Sequence, residues 1–122
     1  MSKKVLVVDD SPLVRNLVKK ALAGNSEFSV VGEASNGKEA VEMAQKLEPD
    51  IITLDVTMPV MDGLEAAREI LKRNSRVKIL LLSAMGDDSL ISQAQSLGIK
   101  HSLQKPFKAE QLLEALGKVL GA

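Results

Sequence analysis

Five short apolar runs alternate along the chain with five longer stretches in which apolar residues recur every three or four positions. The runs cover residues 4–8, 28–34, 51–55, 77–83 and 101–104. Those at 4–8, 51–55 and 77–83 are almost continuously aliphatic, as expected of strands buried on both faces. The run at 28–34 is broken by Gly32 and reads as a weaker strand. The intervening stretches predict helices. Their inward stripes are Leu13, Val14, Leu17, Val18 and Ala21; Ala40, Val41, Ala44 and Leu47; Leu64, Ala67, Ile70 and Leu71; Leu90, Ile91, Ala94 and Leu97; and Leu112, Leu113, Leu116 and Leu120.

Helix punctuation agrees with this reading. Ser11-Pro12 offers an N-cap followed by a proline at the first helical position. Asn36 and Asp62 each stand three residues before a Glu, the arrangement of a capping box. Asp87 or Asp88 caps the fourth helix. Gly24, Pro49 and Gly98 mark helix ends. Strict strand–helix alternation calls for a parallel sheet with right-handed crossovers and helices on both faces. In such sheets the functional site lies beyond the carboxyl ends of the strands.

Polar residues at those ends carry the chemistry. The first strand leads into Asp9 and Asp10, the third ends in Asp55, the fourth in Ser83, and the fifth runs into Lys105. The second offers only Ala34 and Ser35. An edge position for the second strand and central positions for the first and third fit the order 2-1-3-4-5, taken from flavodoxin-like doubly wound folds. Two carboxylates 4 Å apart repel by roughly 4 kcal/mol at a surface-like dielectric. One lysine cannot offset three of them. A hard divalent cation can, and carboxylate oxygens suit Mg²⁺ shared with a phosphoryl group. Asp55 is then the candidate acceptor, with metal and lysine neutralising charge on the phosphoryl oxygens.

Composition narrows the field. Formal net charge is zero, so nothing draws the chain to nucleic acid or an anionic membrane. The absence of Cys excludes disulfide and thiol chemistry and fits a reducing compartment. Phe28 and Phe107 are the only aromatic residues, which disfavours base stacking or a flavin pocket. No glycine-rich turn follows the first strand, so the chain does not read as a dinucleotide binder.

Taken together, Val8-Asp9-Asp10, the segment from Asp55 to Gly63, Ser83-Ala84 and Lys105-Pro106-Phe107 resemble the receiver domain of bacterial two-component response regulators, particularly the single-domain chemotaxis type. The resemblance covers essentially the whole chain, residues 1–122, as one receiver domain. It implies a cytoplasmic switch, not a classical enzyme. Asp55 accepts a phosphoryl group from a sensor histidine kinase or a small phosphodonor. Asp9, Asp10, Asp55 and the backbone carbonyl of Thr57 hold Mg²⁺. Ser83 and Lys105 contact the phosphoryl group, and the Lys105–Pro106 peptide is cis. Phosphorylation shifts the face formed by the fourth helix, fifth strand and fifth helix toward a downstream protein target, such as the flagellar motor or another chemotaxis protein, with the chain a monomer or weak dimer.

One position departs from the family pattern. Ser102 stands where the family usually carries Tyr or Phe, so either His101 beside it substitutes for the aromatic switch or the output uses no such switch. Rival readings are an aspartyl-phosphate phosphatase, which wants Asp where Thr57 stands; a pseudo-receiver acting as a constitutive binding module; and a receiver fragment of a multidomain regulator.

Overall fold

In a computed structural model, residues 2–56, 58 and 61–121 are described. The elements alternate as the pattern predicts: β1 (Lys3–Val8), α1 (Pro12–Ala23), β2 (Phe28–Ala34), α2 (Gly37–Leu47), β3 (Ile51–Asp55), α3 (Gly63–Arg73), β4 (Lys78–Ser83), α4 (Asp88–Ser96), β5 (His101–Gln104) and α5 (Ala109–Gly121). All pairings are parallel, in the order β2-β1-β3-β4-β5. The central strand β3 is buried along its whole length.

Two cores flank the sheet. Leu6, Val8, Ile52, Leu54, Ile79 and Leu81 pack beneath α2, α3 and α4. Val5, Val7, Ile51, Leu80 and Leu82 pack against α1 and α5 through Val18, Leu22, Leu112 and Leu116. Strand alternation divides the apolar side chains between the two, which is why the sheet reads as unbroken aliphatic runs.

Three helices are capped as expected. Ser11 Oγ accepts from the Val14 amide, Asn36 Oδ1 from Glu39 and Asp62 Oδ1 from Glu65. Two expectations need correction. Leu13 is 81% exposed and Leu17 37%, so neither belongs to the buried stripe of α1. Val18 is buried as expected and is joined by Leu22, which the stripe left out, because the helix packs on β2 and α5 together and Leu13 and Leu17 lie off that contact. Asp87 occupies the N-cap position of α4 but makes no side-chain cap. Its Oδ2 instead accepts from the Ala84 amide at 2.7 Å, closing the turn that follows β4.

Candidate functional site

Register brings the strand ends together. Val8 pairs with Leu54, so the next residues, Asp9 and Asp55, come side by side. Asp55 pairs with Leu82, which sets Ser83 one step further along the adjacent strand. Ser83 pairs with Gln104, and Lys105 follows, its amide donating to the Ser83 carbonyl at 2.7 Å. Among the described residues, four polar side chains are buried: Asp9, Thr53, Asp55 and Ser83. Three of the four lie at this one edge, where burial of charge demands a counter-charge.

Lys105 supplies part of it. Its Nζ lies 2.7 Å from Asp9 Oδ2 and 3.3 Å from Asp55 Oδ1. The Lys105–Pro106 peptide is cis, as expected. Asp9 Oδ1 accepts from the Ser11 amide at 2.9 Å, so both oxygens of this fully buried carboxylate are engaged. Asp10 is exposed at the rim. Asp9, Asp10 and Asp55 each present an oxygen, all within 4.8 Å of one another.

The charges remain unequal. Three carboxylates face one ammonium, and the electrostatics shows it. Asp55 is pushed up to about 7, first by burial and then by the neighbouring charge of Asp9; Lys105 opposes the rise, while a hydrogen bond with Asp10 adds to it. For Lys105, burial works against the charge, but Asp9 and Asp55 outweigh it and hold the ammonium above its ordinary range. A dication fits this donor set: hard oxygen ligands, surplus negative charge and an exposed Asp10 at the mouth. The Thr57 carbonyl, expected to complete the ligands, lies outside the described residues.

A family model described as the response regulator receiver domain matches residues 5–117. The chain belongs to this family. It is 43% identical over 119 residues to the chemotaxis protein CheY of Thermotoga maritima, covering 98% of each chain. It is 42% identical over 120 residues to CheY of Bacillus subtilis, covering 98% of this chain and 99% of the relative. A solved CheX–CheY complex from Borrelia burgdorferi, with beryllofluoride and Mg²⁺, superposes with a TM-score of 0.90 at 28% identity, covering 97% of this chain and 89% of the other. The protein is thus a receiver of the CheY type, built for phosphorylation-dependent signalling and outside the classical enzyme families. Receivers bind Mg²⁺ at an acidic pocket, and this chain gathers Asp9, Asp10 and Asp55 into an acidic cluster.

Two features of the receiver site escaped the sequence reading. The first is the role of Gly63, at the start of α3. Its amide donates to the Val56 carbonyl at 2.8 Å, and a Cβ there would overlap the Asp55 carbonyl oxygen. Only glycine lets α3 close over the end of β3. Gly63→Ala is expected to cost about 2–4 kcal/mol in urea unfolding followed by circular dichroism, toward the upper end of single-residue effects. In the sequence Gly63 reads as part of a helix start and as the end of the receiver-like segment from Asp55, neither of which reports its close approach to the Asp55 carbonyl. The second is Arg15, whose Nη1 donates to the Asp9 carbonyl at 2.6 Å. Its signal was no more than a cation one turn into the helix that follows the acidic pair.

Proposed function

We propose that Asp55 is the phosphoacceptor of this receiver, and that the whole chain, residues 1–122, acts as one switch domain. The observation that carries the reading is Lys105 Nζ standing between the Asp9 and Asp55 carboxylates, with Asp10 adjoining. Asp55 supplies a carboxylate oxygen as nucleophile. It forms a bond to phosphorus while the bond from phosphorus to the donor breaks, at nitrogen for a phosphohistidine and at oxygen for acetyl phosphate. The leaving group keeps the electron pair, and a histidine leaving group takes up a proton. Lys105 is within reach of the new phosphoryl oxygens and balances their charge. Ser83, buried one step along the neighbouring strand, is placed to donate its hydroxyl.

Asp10, Asp55 and the Thr57 carbonyl would hold Mg²⁺, with Asp9 bound directly or through water. The ion would offset carboxylate charge and polarise the phosphoryl oxygens. Water later cleaves the acyl phosphate and returns Asp55 to the carboxylate.

Output follows from the link between β4 and β5. The Ser83 carbonyl accepts from the Lys105 amide, so a shift of Ser83 toward a phosphoryl group pulls on the start of the β5–α5 turn. Ser102 is exposed and carries no ring to move, so the signal passes through backbone and loops to the face of α4, β5 and α5. The partners of this reading are a sensor histidine kinase as donor and a downstream protein on that face. The Borrelia relative engages CheX in the presence of beryllofluoride and Mg²⁺, which supports a protein target of this kind.

The test is beryllofluoride binding followed by backbone amide NMR. Shifts are expected at Asp55, Ser83, Lys105 and along α4 and β5 when Mg²⁺ is present, and none in excess chelator. Shifts that persist without a divalent ion, or that spare Ser83 and Lys105, contradict the proposal.

A further inference from the structure

Beyond the residues that meet the metal and the phosphoryl group, an ordered chain of charges reaches the site from the sheet edge. Lys19 Nζ pairs with Glu33 Oε2 at 2.6 Å, Glu33 Oε1 accepts from Arg15 Nε at 2.9 Å, and Arg15 Nη1 donates to the Asp9 carbonyl at 2.6 Å. That carbonyl belongs to the peptide joining Asp9 to Asp10. Holding it fixes the plane of the peptide, and so the direction in which Asp10 leaves the turn.

The backbone is arranged to allow this. Between Val5 and Leu6 the register of β1 against β2 shifts, so that Val5 faces Val30 while Leu6 faces Gly32. Val31 is the extra residue of a bulge. Val30 packs in the core beneath α1 and α5. Unbroken alternation would send residue 33 to the opposite face of the sheet. The bulge restores it to the α1 side, opposite Val7, where Arg15 and Lys19 reach it. Lys19, backed by Arg15, also holds the Glu33 carboxyl below the usual carboxylate range against slight burial.

We propose that Arg15 and Glu33 are positioning residues that preset the Asp9–Asp10 turn for its divalent cation. The inference rests on the Mg²⁺ reading above. Neither residue touches the metal. They act through Asp9, as groups that orient metal ligands do elsewhere, where their loss costs roughly ten-fold or more in affinity. A purely structural role would look different, since exposed ion pairs add little to global stability.

The experiment is calorimetric titration of Mg²⁺ into the full chain and its variants. Arg15→Ala is expected to weaken binding about ten-fold and Glu33→Gln about three-fold. The double variant should be no weaker than Arg15→Ala alone, because the two act in series. Lys118→Ala, which removes a more exposed ion pair with Glu114 on α5, remote from the site, is the control and should bind like the wild type. In chelator, amide exchange at Asp10 and Ser11 should quicken in Arg15→Ala while its melting temperature stays close to that of the control. Arg15→Ala and Glu33→Gln both binding within about two-fold of the wild type would overturn the proposal, as would an equal loss in Lys118→Ala. Asp10→Asn, run alongside, separates the two readings. Its loss of Mg²⁺ binding upholds the metal site whatever Arg15 does, whereas wild-type binding by Asp10→Asn removes the site itself.

Discussion

Asp55→Asn is expected to lose phosphoryl labelling altogether and, in chelator at pH 8, to melt above the wild type. The first effect follows from removing the nucleophile. The second follows from the charge at the site. In the unfolded chain the Asp55 carboxyl loses its proton near pH 4. In the folded, metal-free protein it holds the proton up to about 7, because burial and Asp9 oppose its ionisation. Between those values the folded state binds more protons than the unfolded state, so stability falls as pH rises through the window and stays lower above it. Asn carries no such charge. Allowing for coupling among the three carboxylates, the difference at pH 8 amounts to about 1–3 kcal/mol, or roughly 5–10 °C in melting temperature. Melts followed by circular dichroism between pH 4 and pH 8 should show the gap opening as pH rises. A gap independent of pH, or a wild type more stable than Asp55→Asn at pH 8, would show that the carboxylate is not under this strain.

Lys105→Met should produce the opposite imbalance. Asp9 is fully buried and its Oδ2 lies 2.7 Å from the ammonium, so the variant leaves a buried carboxylate beside Asp55 without its counter-charge. Breaking a buried pair costs several kcal/mol, but the Lys105 side chain is 23% exposed, so about 2–3 kcal/mol is expected in chelator. Millimolar Mg²⁺ should recover much of that loss, since a dication meets the same carboxylates. Phosphoryl uptake from acetyl phosphate should slow by about 100-fold while the label stays on Asp55, because Lys105 balances transferring charge without forming the bond. Urea titrations with and without Mg²⁺, paired with labelling rates, separate the two effects. Equal destabilisation in both conditions would place the role of Lys105 elsewhere.

The fold was legible because the central strands are buried on both faces. Residues 51–55 and 77–83 could only be parallel strands roofed by helices, and the helical spacing between them supplied the roof. The site was legible for a related reason: four of the five runs end in, or lead into, polar residues that no core would tolerate alone, and Asp9, Asp10, Asp55, Ser83 and Lys105 have one place to meet in this topology. Subtler features were hidden where a single residue changes the phase. Leu13 and Leu17 carry the right spacing for a buried stripe, yet α1 is rotated by its joint contact with β2 and α5, which no periodicity within the helix reports. Gly32 was read as a weakness in β2, when it stands at a bulge whose Cβ-free backbone lies against Met43 and Leu47. That bulge is what turns Glu33 toward Arg15. Asp87 spends its carboxylate on the Ala84 amide, a choice that the sequence Asp87-Asp88 leaves open.

The central claim is that Asp55 takes the phosphoryl group in a pocket that strand register brings together. Its most direct test is to label the chain with acetyl phosphate and Mg²⁺, reduce the acyl phosphate with borohydride, and locate the resulting homoserine by peptide mass spectrometry. The account expects homoserine at position 55 only, and none when chelator replaces Mg²⁺. Homoserine at Asp9 or Asp10, or labelling of Asp55 undiminished by chelator, would contradict it.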